Sequence, residues 1–205
     1  MRTRIKVCGI TDQAEALAIA GLGVDALGFI FVRNSPRYVS PERVRAIVAA
    51  LPPLVAKVGV FMDQAAAEVN AIARDCGLTV IQLHGAESPD YCRLMALPVI
   101  KVFRVGPEAR PVTEGYRQAA AAFLLDTYQP GVAGGTGQAF DWGLVNSLSL
   151  PGPLILAGGL NPDNIQAAIR QTRPYAVDVN SGVEIRPGRK DIDAVRRLLA
   201  LASAE

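Results

Sequence analysis

Eight short runs of apolar residues recur along the chain at intervals of roughly 20 to 30 residues, and this spacing restricts the possible folds most strongly. Most of the runs are apolar at consecutive positions, which is typical of parallel strands that are covered on both faces. Amphipathic stretches separate most of them, which favours repeated strand and helix units. The predicted strands cover residues 5–8, 26–31, 56–61, 79–83, 99–103, 123–125, 154–157 and 176–179.

The length of the chain is compatible with this pattern. A chain of 205 residues with 50% hydrophobic residues can bury a sizeable core and is close to the lower size limit of one eight-stranded barrel. We therefore predict an α/β fold with one domain over residues 1–205, a single-domain (β/α)8 TIM barrel. Prolines and glycines interrupt the fifth and sixth connections, so we expect a short or irregular helix in at least one of them.

Three dipeptides predict where helices begin, because each places a capping side chain before a proline at the first helical position. They are Ser40-Pro41, Ser88-Pro89 and Asn161-Pro162. A further helix is expected to begin at Thr11, shortly after the first strand.

The last two strands both end in small residues, which predicts an anion site. Gly158-Gly159 follows the seventh run and Ser181-Gly182 follows the eighth. Backbone N–H groups can turn toward an anion there because little side-chain bulk is in the way. The loops after the last two strands of such a barrel form a common phosphate site.

Cys8 closes the first strand and is a candidate base or nucleophile. A helix that begins at Thr11 would favour its thiolate, so we expect the pKa of Cys8 to fall below the reference value of about 8.5. The alternative is that Cys8 is a small buried hydrophobe, which is the interpretation we give to Cys76 and Cys92.

Other polar residues stand at strand ends, where barrel enzymes carry their catalytic groups. Asp126 follows an apolar strand directly, and partial desolvation favours its protonated form as a general acid; otherwise it only caps the next loop. Asp178 lies below the phosphate loop and orients neighbours or binds substrate. Arg37 could hold a substrate carboxylate through its guanidinium group, or it is solvated at the surface. Gln82 and His84 complete this set.

Several functional classes are disfavoured by composition. His84 is the sole histidine, and the three cysteines have no metal-ligand spacing, so no metal is expected. A net charge of +2 with scattered Lys and Arg gives little reason to expect nucleic acid or membrane partners. The odd number of cysteines, without redox-pair spacing, and the absence of a signal or membrane-spanning run predict a cytoplasmic protein.

The ordered set of motifs resembles the phosphoribosylanthranilate isomerase family of tryptophan biosynthesis. The resemblance extends from the first strand to Asp191 and departs at Asn180, where Ser is more common in the family. The motifs are KVCGIT at 6–11, GFIF at 28–31, SPRY at 35–38, VGVF at 58–61, QLHG at 82–85, LLDT at 124–127, GGTG at 134–137, FDW at 140–142, AGGLNP at 157–162 and DVNSGVE at 178–184.

This resemblance implies a cofactor-free Amadori rearrangement of N-(5-phosphoribosyl)anthranilate, a small phosphorylated sugar, by a monomer or homodimer. Asp126 would be the general acid at the ring oxygen, and Cys8 would remove the proton from C2. Arg37 would hold the anthranilate carboxylate. The other implied substrate-binding residues are Gln82, His84 and Asp178, with the amides of Gly158, Gly159, Ser181 and Gly182 on the phosphate. The loop at 134–137 is expected to close as a lid.

Two alternatives are compatible with a barrel that carries a phosphate site. One is a histidine-pathway isomerase, which carries out the same rearrangement on another aminoaldose but has two phosphate sites and an Asp in place of the first-strand thiol. The other is a non-catalytic phosphate-binding barrel, because fold and anion site alone do not establish activity. The acid and base pair distinguishes an enzyme from such a binder.

Overall fold

The strands form a closed parallel barrel in a computed structural model that describes residues 2–105, 113–127, 142–146 and 148–203. Each strand pairs with the next along the chain, and β8 pairs with β1. All eight predicted strands are confirmed, with ends that differ by one or two residues at several of them. They are β1 Arg4–Val7, β2 Ala26–Ile30, β3 Ala56–Phe61, β4 Val80–Leu83, β5 Val99–Val105, β6 Ala122–Thr127, β7 Leu154–Ala157 and β8 Ala176–Val179.

Helices fill most of the connections between these strands. The fifth connection contains a 3-10 turn at Glu114–Tyr116, and the sixth contains a helix of four residues, so the prediction of a short or irregular helix there is confirmed. A second 3-10 turn, Ser181–Val183, leads from β8 into the hairpin of β9 Glu184–Arg186 and β10 Arg189–Lys190. The helices are α1 Gln13–Gly21, α2 Pro41–Ala50, α3 Ala66–Asp75, α4 Pro89–Arg93, α5 Gly143–Asn146, α6 Ile165–Thr172 and α7 Ile192–Ser203.

Two of the predicted helix starts are confirmed. The hydroxyl groups of Ser40 and Ser88 accept hydrogen bonds from the third residues of α2 and α4, with proline at the first helical position of each. Helix α1 begins later than predicted, at Gln13, because the carboxylate of Asp12 caps it through the amide of Glu15 at 3.0 Å.

The predicted helix start at Asn161-Pro162 is wrong. Residues 161–164 form a turn, in which the Asn161 carbonyl accepts hydrogen bonds from the amides of Asn164 and Ile165. The side-chain oxygen of Asn164 accepts from the Asn161 amide at 2.9 Å, and α6 begins only at Ile165. The side-chain amides of Asn161 and Asn164 both donate to the carbonyl of Gly159, so this turn fixes the loop that follows β7.

Apolar layers lie on both sides of the strands. The larger layer packs the strands against the helices, and a smaller one fills the barrel interior with residues such as Val58, Val102 and Leu124. Toward the C-terminal ends of the strands, Cys8, Ile30 and Val60 form a third cluster. None of the described helices has the length and apolarity needed to cross a membrane.

Candidate active site

The C-terminal ends of the strands surround a cavity of about 220 Å³. Nine of the ten side chains or loop residues that the sequence predicts for the site line it: Cys8, Gln82, His84, Asp126, Gly158, Gly159, Asp178, Ser181 and Gly182. The tenth, Arg37, is not among the lining residues. It lies close to Cys8 and Gly9, since a Cβ on Gly9 would be 2.8 Å from its Cδ.

The two-residue alternation of a strand explains why these residues meet. Inward positions in a strand are separated by two, so apolar residues deep in the barrel are followed by polar ones at its mouth. On β6, Leu124 belongs to the interior layer and Asp126 lines the cavity. On β8, Ala176 and Asp178 have the same relationship.

Cys8 is buried, with 4% of its surface exposed, and it packs with Ile30 and Val60. Burial raises the pKa of its thiol, and the charges of Lys6 and Lys190 oppose that shift only in part. The expectation of a lowered pKa is therefore wrong, because α1 begins five residues after Cys8 and desolvation is the larger influence. A thiolate at this position depends on the cations around it.

Asp126 and His84 form a pair at the cavity wall. Nε2 of His84 lies 3.5 Å from Oδ2 of Asp126, and about a quarter of each side chain is exposed. The imidazole is therefore placed to orient the carboxyl group, while both side chains keep access to a bound molecule. Asp126 lines the cavity, and the loop that it would otherwise cap lies outside the described residues.

Asp178 is paired with Lys6, a buried residue that the sequence analysis did not assign to the site. Nζ of Lys6 donates to both carboxylate oxygens, at 2.9 and 2.8 Å, and 4% and 8% of the two side chains are exposed. Burial raises the pKa of Asp178, and Lys6 opposes part of that shift. The spacing of Lys6 from Cys8 on one strand is the signal that could have placed Lys6 at this site.

Arg37 is anchored by Glu184, another residue that the sequence did not identify. Its Nε donates to Oε1 and Oε2 at 2.9 and 3.1 Å, and Nη2 donates to Oε2 at 2.6 Å. Lys190 donates to the same carboxylate at 2.8 Å and to Asn180. Burial alone would raise the pKa of Glu184, but the hydrogen bonds from Arg37 and Lys190 lower it overall. Arg37 is therefore a fixed cation rather than a solvated surface residue.

The loops after β7 and β8 touch each other. A Cβ on Gly182 would lie 2.0 Å from the carbonyl oxygen of Leu160, so only glycine permits this approach. Gly158 and Gly159 have φ values of 90° and 62°, which glycine adopts readily. Within the described part of the chain, the amides of Gly159, Ser181 and Gly182 donate no hydrogen bond. These amides are placed to bind an anion.

Two predictions can be compared only with the part of the chain that the structure describes. The glycine-rich loop at 134–137, predicted to close as a lid, lies outside the described residues. Among the residues described, no cluster of three or more His, Cys, Asp or Glu side chains is arranged to hold a metal ion.

The family model and the relatives that match this chain carry the same name. The family model described as N-(5'phosphoribosyl)anthranilate (PRA) isomerase matches residues 5–200. The chain is 49% identical to the N-(5'-phosphoribosyl)anthranilate isomerase of Geobacter sp. strain M21, over 98% of both proteins.

Solved structures agree with this result. The crystal structure of phosphoribosyl anthranilate isomerase from Thermotoga maritima has a TM-score of 0.88 and 39% identity, over 99% of this chain and 100% of that one. Another isomerase structure, in complex with reduced 1-(o-carboxyphenylamino)-1-deoxyribulose 5-phosphate, has a TM-score of 0.85 and 37% identity over the same shares.

Proposed function

Because the chain belongs to the N-(5'-phosphoribosyl)anthranilate isomerase family, we propose that Cys8 and Asp126 are the base and acid of its reaction. The protein is an aldose–ketose isomerase of tryptophan biosynthesis that converts N-(5-phosphoribosyl)anthranilate into 1-(2-carboxyphenylamino)-1-deoxyribulose 5-phosphate. The observation that carries the proposal is that a thiol, a carboxyl group and the glycine-containing loops after β7 and β8 line one cavity.

The phosphate of the substrate binds at the touching loops after β7 and β8. Amides that donate no hydrogen bond within the described chain can bond the phosphate oxygens without breaking an existing interaction. The close approach of Gly182 to Leu160 keeps the two loops together. This end of the site thus sets the position of the sugar relative to the side chains on β1 and β6.

Asp126 donates a proton to the furanose ring oxygen. The bond between that oxygen and C1 breaks, and the anthranilate nitrogen forms an iminium with C1. His84, 3.5 Å from the carboxyl group, orients it toward the cavity. A general acid at a developing alkoxide contributes about 10²- to 10⁴-fold to rate.

Cys8 as thiolate then removes the proton from C2. The electron pair of that C–H bond moves toward the iminium, which gives an enolamine, and tautomerisation to the ketone completes the rearrangement. The two proton transfers need opposite initial protonation states, and Cys8 and Asp126 have different surroundings in one cavity. The cations near Cys8 are what would let the buried thiol act as the base.

Arg37 holds the anthranilate carboxylate, with Glu184 as the residue that positions it. Glu184 engages Nε and Nη2 of the guanidinium, so the remaining donors of Arg37 have a defined direction. Both side chains are largely buried, with 19% and 4% exposed, which limits screening by solvent. Binding at this end therefore depends on a pair of residues that are 147 positions apart in sequence.

Replacement of Glu184 by Gln is expected to raise KM about tenfold with little change in kcat. The amide cannot accept from Arg37 and Lys190 as the carboxylate does, so Arg37 loses its fixed direction while the reacting groups are untouched. Steady-state kinetics measures both constants. The control is Glu68→Gln, since Glu68 is exposed on α3. An unchanged KM in the Glu184 variant would contradict the positioning role.

The two alternatives lose support against these observations. At the same end of the barrel but across the mouth, after β3 and β4, the amides of Asp63 and Gly85 donate to Glu87, and that of Ala86 donates to Asp63. Protein carboxylates thus occupy the amides that a second phosphate would need and would repel it, which disfavours a substrate with two phosphates. A purely binding barrel does not need the thiol and carboxyl groups that line the cavity.

The direct test uses purified protein and freshly prepared phosphoribosylanthranilate. The fluorescence of the substrate is expected to decay with a kcat/KM of about 10⁴ M⁻¹s⁻¹ or more. Decay at the rate seen in buffer alone would refute the activity. We further propose that the protein works in the cytoplasm as a monomer or homodimer. Its small net charge of +2 gives no reason to expect nucleic acid or membrane partners. Light scattering gives the oligomeric state.

A further inference from the structure

Lys6 occupies the interior of the barrel below the mouth of the active site. It pairs in register with Asp178 across β1 and β8, and both carboxylate oxygens accept from its Nζ. Only 4% of the lysine side chain is exposed. A buried ammonium group is costly unless it is paired, so the complete contact with Asp178 explains how Lys6 remains charged.

Lys6 also lies against the sulfur of Cys8. The two residues are two positions apart in sequence, so their side chains leave β1 on the same face. A Cβ on Gly28 of β2 would lie 2.7 Å from Sγ of Cys8 and 3.0 Å from Nζ of Lys6. The ammonium group and the sulfur therefore share the space above Gly28, which is open because this residue has no side chain.

We propose that Lys6 is a positioning residue that holds Cys8 as a thiolate, and that Asp178 fixes the ammonium group beside the sulfur. The inference rests on the proposed role of Cys8 as the base. It extends that role by naming the charge that permits a buried thiol to lose its proton. Lys6 makes no contact with the substrate in this scheme and forms no covalent bond to it.

The electrostatic surroundings of Cys8 support this assignment. Burial raises the pKa of the thiol, and Lys6 is the largest influence that lowers it, followed by a smaller one from Lys190. Asp178 acts in the opposite direction. Arg37 is close enough to Cys8 that the negative charge of the thiolate helps to raise the pKa of Arg37. Across the cavity the other ionisable groups are Asp126 and His84.

Lys6 itself keeps its proton in this environment. Burial alone would lower the pKa of Lys6, but Asp178 and Cys8 raise it, and the overall direction is upward. The sign of the effect on Cys8 follows. The thiolate fraction grows as pH rises through the pKa of Cys8, so removal of the lysine charge moves the whole titration to higher pH.

The test measures alkylation of Cys8 by iodoacetamide as a function of pH in the full-length protein, with the labelled residue identified by mass spectrometry. Lys6→Met is expected to move the midpoint of Cys8 alkylation upward by about one pH unit or more. Lys6→Arg retains a cation, so its Cys8 midpoint is expected to lie between those of the wild type and Lys6→Met. An unchanged midpoint in Lys6→Met would overturn the proposal.

Lys101→Met is the matched control. Lys101 is also a buried lysine of the barrel, paired with Glu87 at 2.8 Å, and its side chain is 2% exposed. Its loss disturbs a buried ion pair equally but leaves the surroundings of Cys8 intact, so the Cys8 midpoint should stay at the wild-type value. An equal shift in both variants would mean that general destabilisation, not the charge of Lys6, controls the thiol.

A second variant covers the case in which Lys6→Met alone fails to fold because Asp178 is left unpaired. Lys6→Met combined with Asp178→Asn removes both charges. Its midpoint is expected above wild type, since Lys6 influences Cys8 more than Asp178 does. A midpoint at or below wild type would overturn the proposal. Alkylation requires no substrate, so failure of the isomerase assay would refute the function separately.

Discussion

Replacement of Cys8 by serine is expected to lower kcat by about 10³-fold, within the range of a lost general base. Serine differs from cysteine by one atom and fits beside Ile30 and Val60, so the barrel should remain intact. Its hydroxyl group does not form an anion near neutral pH, even beside Lys6, and proton removal from C2 therefore fails. Steady-state kinetics gives kcat, and calorimetry with a product analogue checks that binding survives.

Cys92→Ser serves as the control for this variant. Cys92 is equally buried, with 2% of its surface exposed, but it lies on α4 away from the cavity. Its replacement should leave kcat within about threefold of wild type, because its effect is limited to packing. If Cys8→Ser also retained nearly full turnover, Cys8 would be a packing residue and the mechanism would need another base.

Asp126→Asn is expected to lower kcat by about 10²- to 10⁴-fold while the affinity for a product analogue changes little. The amide has nearly the same shape as the carboxylate and stays next to His84, but it has no acidic proton to give to the ring oxygen. The ring of the substrate would then open only at the uncatalysed rate. The measurement is again kcat by loss of substrate fluorescence, together with the dissociation constant of the analogue.

Asp75→Asn is the corresponding control, since Asp75 ends α3 with 60% of its side chain exposed. Wild-type kinetics are expected for it. Turnover of Asp126→Asn at a rate close to wild type would remove the carboxyl group from the reaction. Loss of analogue binding together with loss of turnover would instead assign Asp126 to binding.

The sequence predicted the architecture because the information for strands is local. Consecutive apolar residues and their spacing indicated all eight strands, and the Ser-Pro pairs indicated the starts of α2 and α4. The Asn161-Pro162 prediction failed because the side-chain amides of Asn161 and Asn164 donate to the carbonyl of Gly159, and a turn over residues 162–164 precedes the helix. Competition between such local hydrogen bonds depends on the shape of the whole loop.

The site was predicted less completely than the fold. Strand ends located the residues that line the cavity, since inward-facing side chains at these ends share one mouth. The partners of those residues depend on long-range contacts: Lys6 meets Asp178 at a separation of 172 residues, and Arg37 meets Glu184 at 147. The direction of the pKa shift of Cys8 was wrong for a related reason, because burial is a property of the assembled barrel.

The most direct measurement is a crystal structure of the protein with reduced 1-(2-carboxyphenylamino)-1-deoxyribulose 5-phosphate bound. We expect Sγ of Cys8 at roughly 3–3.5 Å from C2, a distance typical of reacting atoms. A carboxyl oxygen of Asp126 should lie at about 3 Å from the oxygen released by ring opening, with the phosphate on the loops of Gly159 and Ser181. A complex in which Cys8 and Asp126 did not both reach the same pentose would contradict the mechanism.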